Sequence, residues 1–202
     1  MKSKVILLAA LSLASALFAN SPREKLPPHN PLEFKAGYFF FLSSMNKVYK
    51  DGGLDLQLST TWRVAPWLRV YGSVEYLEKS GQSLNGNERT SIWEIPISAG
   101  LQPIVLFSSK PEIWLYCTGG PRYVFARVHN RSPYVSKYMR SNDIGAFANV
   151  GVLYKIARHF TLNFFGEYSY ARLSFTSSVA NSFGKTVQAG GLTFGGGLGY
   201  AF

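Results

Sequence analysis

Few side chains in this chain could carry out covalent chemistry. There are three histidines, His29, His129 and His159, and one cysteine, Cys117. Hydrolysis by a hydroxyl nucleophile needs a base within hydrogen-bond reach and an acid to orient that base. His129 has Ser132 three residues on, and Asp143 could approach the pair, but no spacing specifies it. His29 falls in a proline-rich stretch and His159 in a tight turn. No spacing of Cys and His suggests a metal site. The glycines near the C-terminus form no phosphate loop, because neither a helix pattern nor a Lys follows them. The residues therefore point to no cofactor, no metal and no enzyme activity. Their concentrated chemistry is electrostatic. Arg127, His129, Arg131, Tyr134, Lys137, Tyr138 and Arg140 all fall between Arg127 and Asn142, a segment without an acid. Basic and aromatic groups together suit anionic sugars and phosphates.

The elements that hold these residues have a period of two. Leu32, Phe34, Ala36, Tyr38, Phe40 and Leu42 alternate with Glu33, Lys35, Gly37, Phe39 and Phe41. Leu54 to Val64, Leu68 to Tyr76, Trp93 to Leu101, Ile144 to Ile156 and Phe160 to Tyr170 repeat the pattern, with one apolar face and one mixed face. A less regular segment runs from about Glu112 to Ala126. Placing Ile113, Leu115, Cys117, Tyr123 and Phe125 outward turns Arg122, Trp114 and Tyr116 inward. An eighth segment closes the chain, setting Leu192, Phe194, Leu198, Tyr200 and Phe202 against glycines. Between the segments, Ala65-Pro66-Trp67 and Ala157-Arg158-His159 are tight, and Pro103 to Lys110 belongs with them. Ser43 to Gly53, Glu78 to Thr90, Arg127 to Asn142 and Ser174 to Gln188 are long and polar. Short turns alternating with long loops predict an all-β, eight-stranded antiparallel transmembrane up-and-down barrel. A soluble up-and-down barrel would need an apolar interior, whereas here the charges sit on the less apolar face.

The N-terminus fits export. Lys2 and Lys4 precede an apolar run from Val5 to Phe18, too short to span a membrane comfortably, which ends at Ala19. Residues 1–19 read as a secretory signal peptide, with cleavage after Ala19 or after Ala16. Residues 20–31 read as a periplasmic lead-in and 32–202 as the barrel. A single cysteine allows no intramolecular disulfide. Losing Lys2 and Lys4 lowers the formal charge from +10 to +8. An exported basic chain meets little nucleic acid, so anionic lipid or glycan is the expected partner. The four long segments hold nine bases against Asp51, Glu78 and Glu88.

A membrane-spanning sheet cannot leave an edge, so the first and last strands must pair. Phe39 and Phe41 are expected to lie over Gly195, Gly197 and Gly199, an arrangement that restores packing the glycines lack. With eight strands the lumen is just wide enough for side chains to fill. The inward ionisable set is Glu33, Lys35, Asp55, Arg63, Arg69, Glu75, Glu94, Arg122, Lys155 and Glu167, five acids and five bases. Matched signs predict a mutually compensating plug rather than an ion path. Pro96 and Pro121 each remove a ladder hydrogen bond. A bulge is expected at Pro96, and a place near the outer rim for Pro121.

The ending resembles the assembly signal of bacterial outer-membrane barrels, with Gly197, Tyr200 and the C-terminal Phe202 in its positions. Gly195 stands where that family often has a polar residue. The layout of nearly all the mature chain resembles the small eight-stranded outer-membrane barrels of the OmpA/OmpX type. That resemblance implies an integral outer-membrane protein of a Gram-negative-type bacterium, with the barrel assembly machinery, outer-membrane lipid and lipopolysaccharide as partners. Some barrels of this size act on lipid A with His and Ser two apart on one strand face, which His129-Asn130-Arg131-Ser132 does not match. The expected role is envelope structure and surface interaction, with basic extracellular loops binding lipopolysaccharide, anionic glycans or a host surface. A narrow pore and a lipid A-modifying enzyme are the alternatives.

Overall fold

The computed structural model describes residues 31–42, 44–49, 52–82, 88–106, 112–131, 137–175 and 185–202. The stretch read as a signal peptide, and all of the expected lead-in except Pro31, which opens the first strand, lie outside these residues. The strands are β1 (Pro31–Phe41), β2 (Gly53–Ala65), β3 (Leu68–Gln82), β4 (Arg89–Leu106), β5 (Ile113–Asn130), β6 (Tyr138–Lys155), β7 (Phe160–Phe175), β8 (Lys185–Ala189) and β9 (Gly191–Ala201). β1 to β7 pair antiparallel in chain order, and β9 pairs with both β7 and β1. The ring is therefore closed, as the edge argument requires. The pairs Ala171↔Ala189 and Tyr168↔Leu192 keep one register across Gly190. β8 and β9 are thus two parts of a single strand, and the barrel is eight-stranded.

The expected parity holds around the ring. Leu, Val, Ile and aromatic side chains face outward; Ile144 is 70% exposed, and Phe34, Leu58, Val150 and Phe164 are similarly bare. Leaving a side chain of this size in water forgoes roughly 1.5–3 kcal/mol of burial. A continuous belt of them is stable only against hydrocarbon. On β5 the outward apolar run extends from Ile113 to Phe125. At about 3.3 Å per residue and a tilt of about 40°, that run is roughly 30 Å tall, a bilayer thickness. Trp114, Tyr116 and Arg122 do face inward.

Several local expectations need correction. The strands continue into segments read as loops: β3 reaches Gln82, β4 begins at Arg89, β5 ends at Asn130, β6 begins at Tyr138, and β7 runs to Phe175. β4 likewise runs on to Leu106, beyond Pro103. Pro96 makes no bulge. Its register with β5 is unbroken at Pro96↔Val124, and pairing with β3 lapses between Val74↔Ile97 and Leu77↔Glu94 without a shift. The missing N–H falls on the β3 side, so the strand loses a bond but keeps its phase. Pro121 sits in the middle of β5, opposite Ala146, and pairing with β4 lapses beside it in the same way. The register shift that does occur lies between Arg63 and Ala65, at the Pro66-Trp67 turn.

Gly195, Gly197 and Gly199 do not sit under Phe39 and Phe41; the inner glycine against those rings is Gly191, where a Cβ would stand 2.8 Å from Phe39 Cζ. Gly197 faces Lys35, Gly199 faces Glu33 and Gly195 faces Gly37, while Phe39 faces Thr193 and Phe41 faces Gly191. A Cβ on Gly197 would stand 2.7 Å from Lys35 Cγ, and one on Gly199 would stand 2.4 Å from Thr161 Oγ1. These glycines clear room for the Lys35 and Glu33 side chains.

Candidate functional site

The interior is layered. At the long-loop end, Phe39, Phe41, Leu77, Ile92, Val124, Ala126, Val128 and Leu173 form a buried apolar cluster with Met45 and Tyr49. Met45 and Tyr49 come from the first long segment, where a 3-10 turn (Ser44–Lys47) folds into the mouth of the barrel. Gln82 N–H donates to Val48 O at 3.1 Å, and the Tyr49 and Thr90 hydroxyls lie 3.3 Å apart. Burial pushes the Tyr49 hydroxyl above its usual pKa. Gly52 follows with φ of 66°, a left-handed conformation that glycine adopts readily. A second apolar cluster, Ile104, Trp114, Tyr116 and Leu153, lies at the short-turn end.

Charged groups lie between and below these clusters. Arg122 on β5 donates from Nη2 to Glu75 Oε1 at 2.6 Å and to Glu167 Oε1 at 2.5 Å. Its Nε donates to Ser98 Oγ at 2.8 Å. β3 and β7, which carry the two glutamates, stand on opposite sides of the eight-membered ring, so this guanidinium ties the walls together across the lumen. Glu75 also accepts from Gln57 at 2.8 Å, and Glu167 from Asn149 at 3.2 Å. Lys35 lies 3.3 Å from Glu33, with its ammonium over the Tyr71 and Phe165 rings. Asp55, Glu75, Glu94 and Arg122 line a cavity of about 20 Å³, enough for a single water.

The ten inward ionisable residues are not mixed evenly. Asp55, Glu75, Glu94 and Glu167 surround Arg122. Arg63 and Arg69 face each other beside the Pro66-Trp67 turn, and Lys155 lies opposite Thr161 beside the Ala157-Arg158-His159 turn. Eight of the ten are buried; Arg63 and Lys155 are half-buried. The structure brings together Arg122, Glu75 and Glu167, and separately Lys35 and Glu33.

The basic segment read as a loop is strand over residues 127–130 and 138–142. Arg127 on β5 and Arg140 on β6 are directly opposed in the ladder, and His129 is opposed to Tyr138. Both arginines face outward and neither has an ion pair among the described residues. The His129 and Tyr138 rings stack with centroids 4.7 Å apart, and Lys137 Nζ lies 5.6 Å from the Tyr138 centroid. Arg131 and Lys137 are exposed at the strand ends. Tyr134 and Ser132 lie outside the described residues. Asp143 pairs with Val124, five residues down the strand from His129, so it stands roughly 17 Å away and does not orient that imidazole. At the C-terminus, Gly197 is in the ladder, Tyr200 faces outward between the His159, Phe160 and Phe202 rings, and Phe202 is 78% exposed.

Sequence reading missed the apolar upper lumen. Its signal was present: Val124, Ala126 and Val128, then Ala171 and Leu173, continue the period of two past the last lipid-facing aromatic. Above the membrane the outer face is wet, so the alternation inverts to apolar inside and polar outside.

No protein-family model and no curated protein matches the chain. Solved structures do. The outer membrane protein OprG from Pseudomonas aeruginosa superposes with a TM-score of 0.65 at 15% identity, covering 88% of this chain and 98% of that one. Neisserial surface protein A gives 0.56 at 17% identity, with coverage of 86% and 97%. Ail, the attachment invasion locus protein of Yersinia pestis, in complex with the heparin analogue sucrose octasulfate, gives 0.51 at 13%, with coverage of 85% and 99%. Closed antiparallel ring, apolar outer belt and polar interior together make this chain, by fold, a small eight-stranded β-barrel of the outer-membrane type.

Proposed function

We propose that the chain is an integral outer-membrane protein of a Gram-negative-type envelope, exported by a cleaved leader, that works without catalysis by binding anionic lipopolysaccharide or glycans at its extracellular end. In this reading the short turns face the periplasm and the long loops the exterior. The observation that carries it is a filled lumen beneath a basic rim. Two apolar clusters and the Arg122 cross-tie occupy the interior, so the chemistry open to partners is on the outside. There the exposed bases Arg89, Arg131, Lys137 and Arg140 gather around stacked aromatic rings. Against hydrolysis, His129 has no acid behind it among the described residues.

The test uses purified barrel on immobilised heparin and on lipopolysaccharide. Binding weakens as salt rises, because exposed charges are screened over about 8 Å at physiological ionic strength. Changing Arg131, Lys137 and Arg140 together to Ser weakens it further and leaves the barrel folded. Salt-independent binding, or an unchanged triple variant, refutes the reading.

A further inference from the structure

Arg127 and Arg140 face each other directly across the β5–β6 ladder, both exposed, with no carboxylate joined to either among the described residues. Like charges directly opposed destabilise a sheet unless something lies between them. Both stand at the upper edge of the lipid-facing belt. On β5, Arg127 is the first outward residue beyond Phe125; on β6, Arg140 and Asn142 precede Ile144. Beside them the outer wall opens into a groove of about 610 Å³; Trp93 shares the ladder row of Arg127 and Arg140, while Tyr76, Ile95, Phe125 and Asn142 line it one outward row nearer the apolar belt. The nearest outward acid in the same row is Glu78, opposite Trp93, and it already accepts from the Tyr76 hydroxyl at 2.9 Å. Two strands, about 10 Å, separate it from Arg127. The groove is therefore cationic in its upper row, with Trp93 beside the two arginines, and predominantly apolar one row down at Tyr76, Ile95 and Phe125.

The geometry points to a lateral site for an anionic outer-leaflet glycolipid of the lipid A class, its phosphate clamped between Arg127 and Arg140 and its acyl portion laid on Tyr76, Ile95 and Phe125. This deepens the preceding reading and rests on the orientation given there. It differs in placing the ligand in the plane of the membrane, on the barrel wall, rather than above it on the loop tips. Two guanidinium groups match a phosphate well, since each can donate two parallel hydrogen bonds to its oxygens. The bound phosphate also supplies the missing charge between the arginines.

The experiment compares full-length mature barrel folded in phosphatidylcholine vesicles alone, with lipid A, or with phosphatidylglycerol. Stability is read as the urea midpoint, and retained lipid by mass spectrometry after detergent extraction. Lipid A raises the wild-type midpoint. Arg127→Gln/Arg140→Gln abolishes that rise and retains about tenfold less lipid A, the loss expected from one or two charge-assisted bonds. In phosphatidylcholine alone the same variant is at least as stable as wild type, because the like-charge pair has gone; this change of sign separates a ligand site from a folding defect. Arg131→Ser/Lys137→Ser retains lipid A and loses heparin binding, which keeps the two readings apart. Wild-type retention of lipid A by the Arg127/Arg140 variant overturns the site. Equal losses in both variants also overturn it, leaving only diffuse attraction to a basic rim. Equal retention of phosphatidylglycerol overturns the choice of lipid.

Discussion

Replacing Arg122 with Met tests the central cross-tie. In the intact barrel one buried guanidinium serves Glu75 at 2.6 Å and Glu167 at 2.5 Å. Methionine keeps the volume and removes the charge, stranding two carboxylates that are each 3% exposed. Glu75 keeps the Gln57 amide at 2.8 Å and the Ser73 hydroxyl at 3.2 Å, and Glu167 keeps Asn149 at 3.2 Å. Neutral donors of this kind soften the loss but do not replace a charge. Breaking a buried pair from one side costs about 3–5 kcal/mol. With a urea slope of about 2 kcal/mol/M, the midpoint should fall by about 2 M. The assay is a urea titration of barrel folded in phosphatidylcholine vesicles, followed by tryptophan fluorescence and by heat-modifiable migration on a gel. Arg122→Met/Glu75→Gln/Glu167→Gln should recover most of the loss, since it leaves no uncompensated charge. A fall of less than about 0.5 M for the single variant, or no recovery in the triple, refutes the reasoning.

Gly197→Ala should destabilise the barrel by about 1–3 kcal/mol through overpacking against Lys35, whereas Gly196→Ala, whose nearest neighbour would be the Asn163 carbonyl oxygen at 3.4 Å, should leave the urea midpoint almost unmoved; equal effects would refute the account of the inner glycines. Deleting Phe202, which faces outward against Tyr200, should leave refolding into detergent intact yet strand the protein in the periplasm of cells, and normal outer-membrane barrel after deletion would remove its role in assembly. Planar-bilayer recordings should show no steady conductance of porin size, because two apolar clusters and the Arg122 cross-tie fill the interior and the cavity beside Arg122 has room for about one water; large steady openings of the unmodified protein would overturn the filled-lumen reading.

The alternation of side chains along the strands was enough, by itself, to predict the ring and the faces of every strand but β5, whose facing the structure decided. A strand in hydrocarbon must put apolar groups outward on every second residue, and that requirement acts locally. Lys35, Glu75 and Glu167 could therefore be assigned to the interior before any neighbour was known. The demand for closure likewise joined β1 to the C-terminal strand. Meetings across the lumen are not local. Arg122 lies 47 residues from Glu75 and 45 from Glu167, on strands that do not pair with each other, so the tilt and stagger of the whole barrel decide that they touch. Equal numbers of inward acids and bases gave no partners; the fold gathers Asp55, Glu75, Glu94 and Glu167 about Arg122, joins Lys35 to Glu33, and sets Arg63, Arg69 and Lys155 near the short turns. Strand ends were misread for a further physical reason. Past Phe125 and Tyr76 the outer surface leaves the membrane, the polarity rule reverses, and Arg127, Tyr138 and Arg140 resemble a polar loop. Only the tertiary structure shows that the ladder continues there, with Ala126, Val128 and Leu173 buried inside and two arginines set face to face outside.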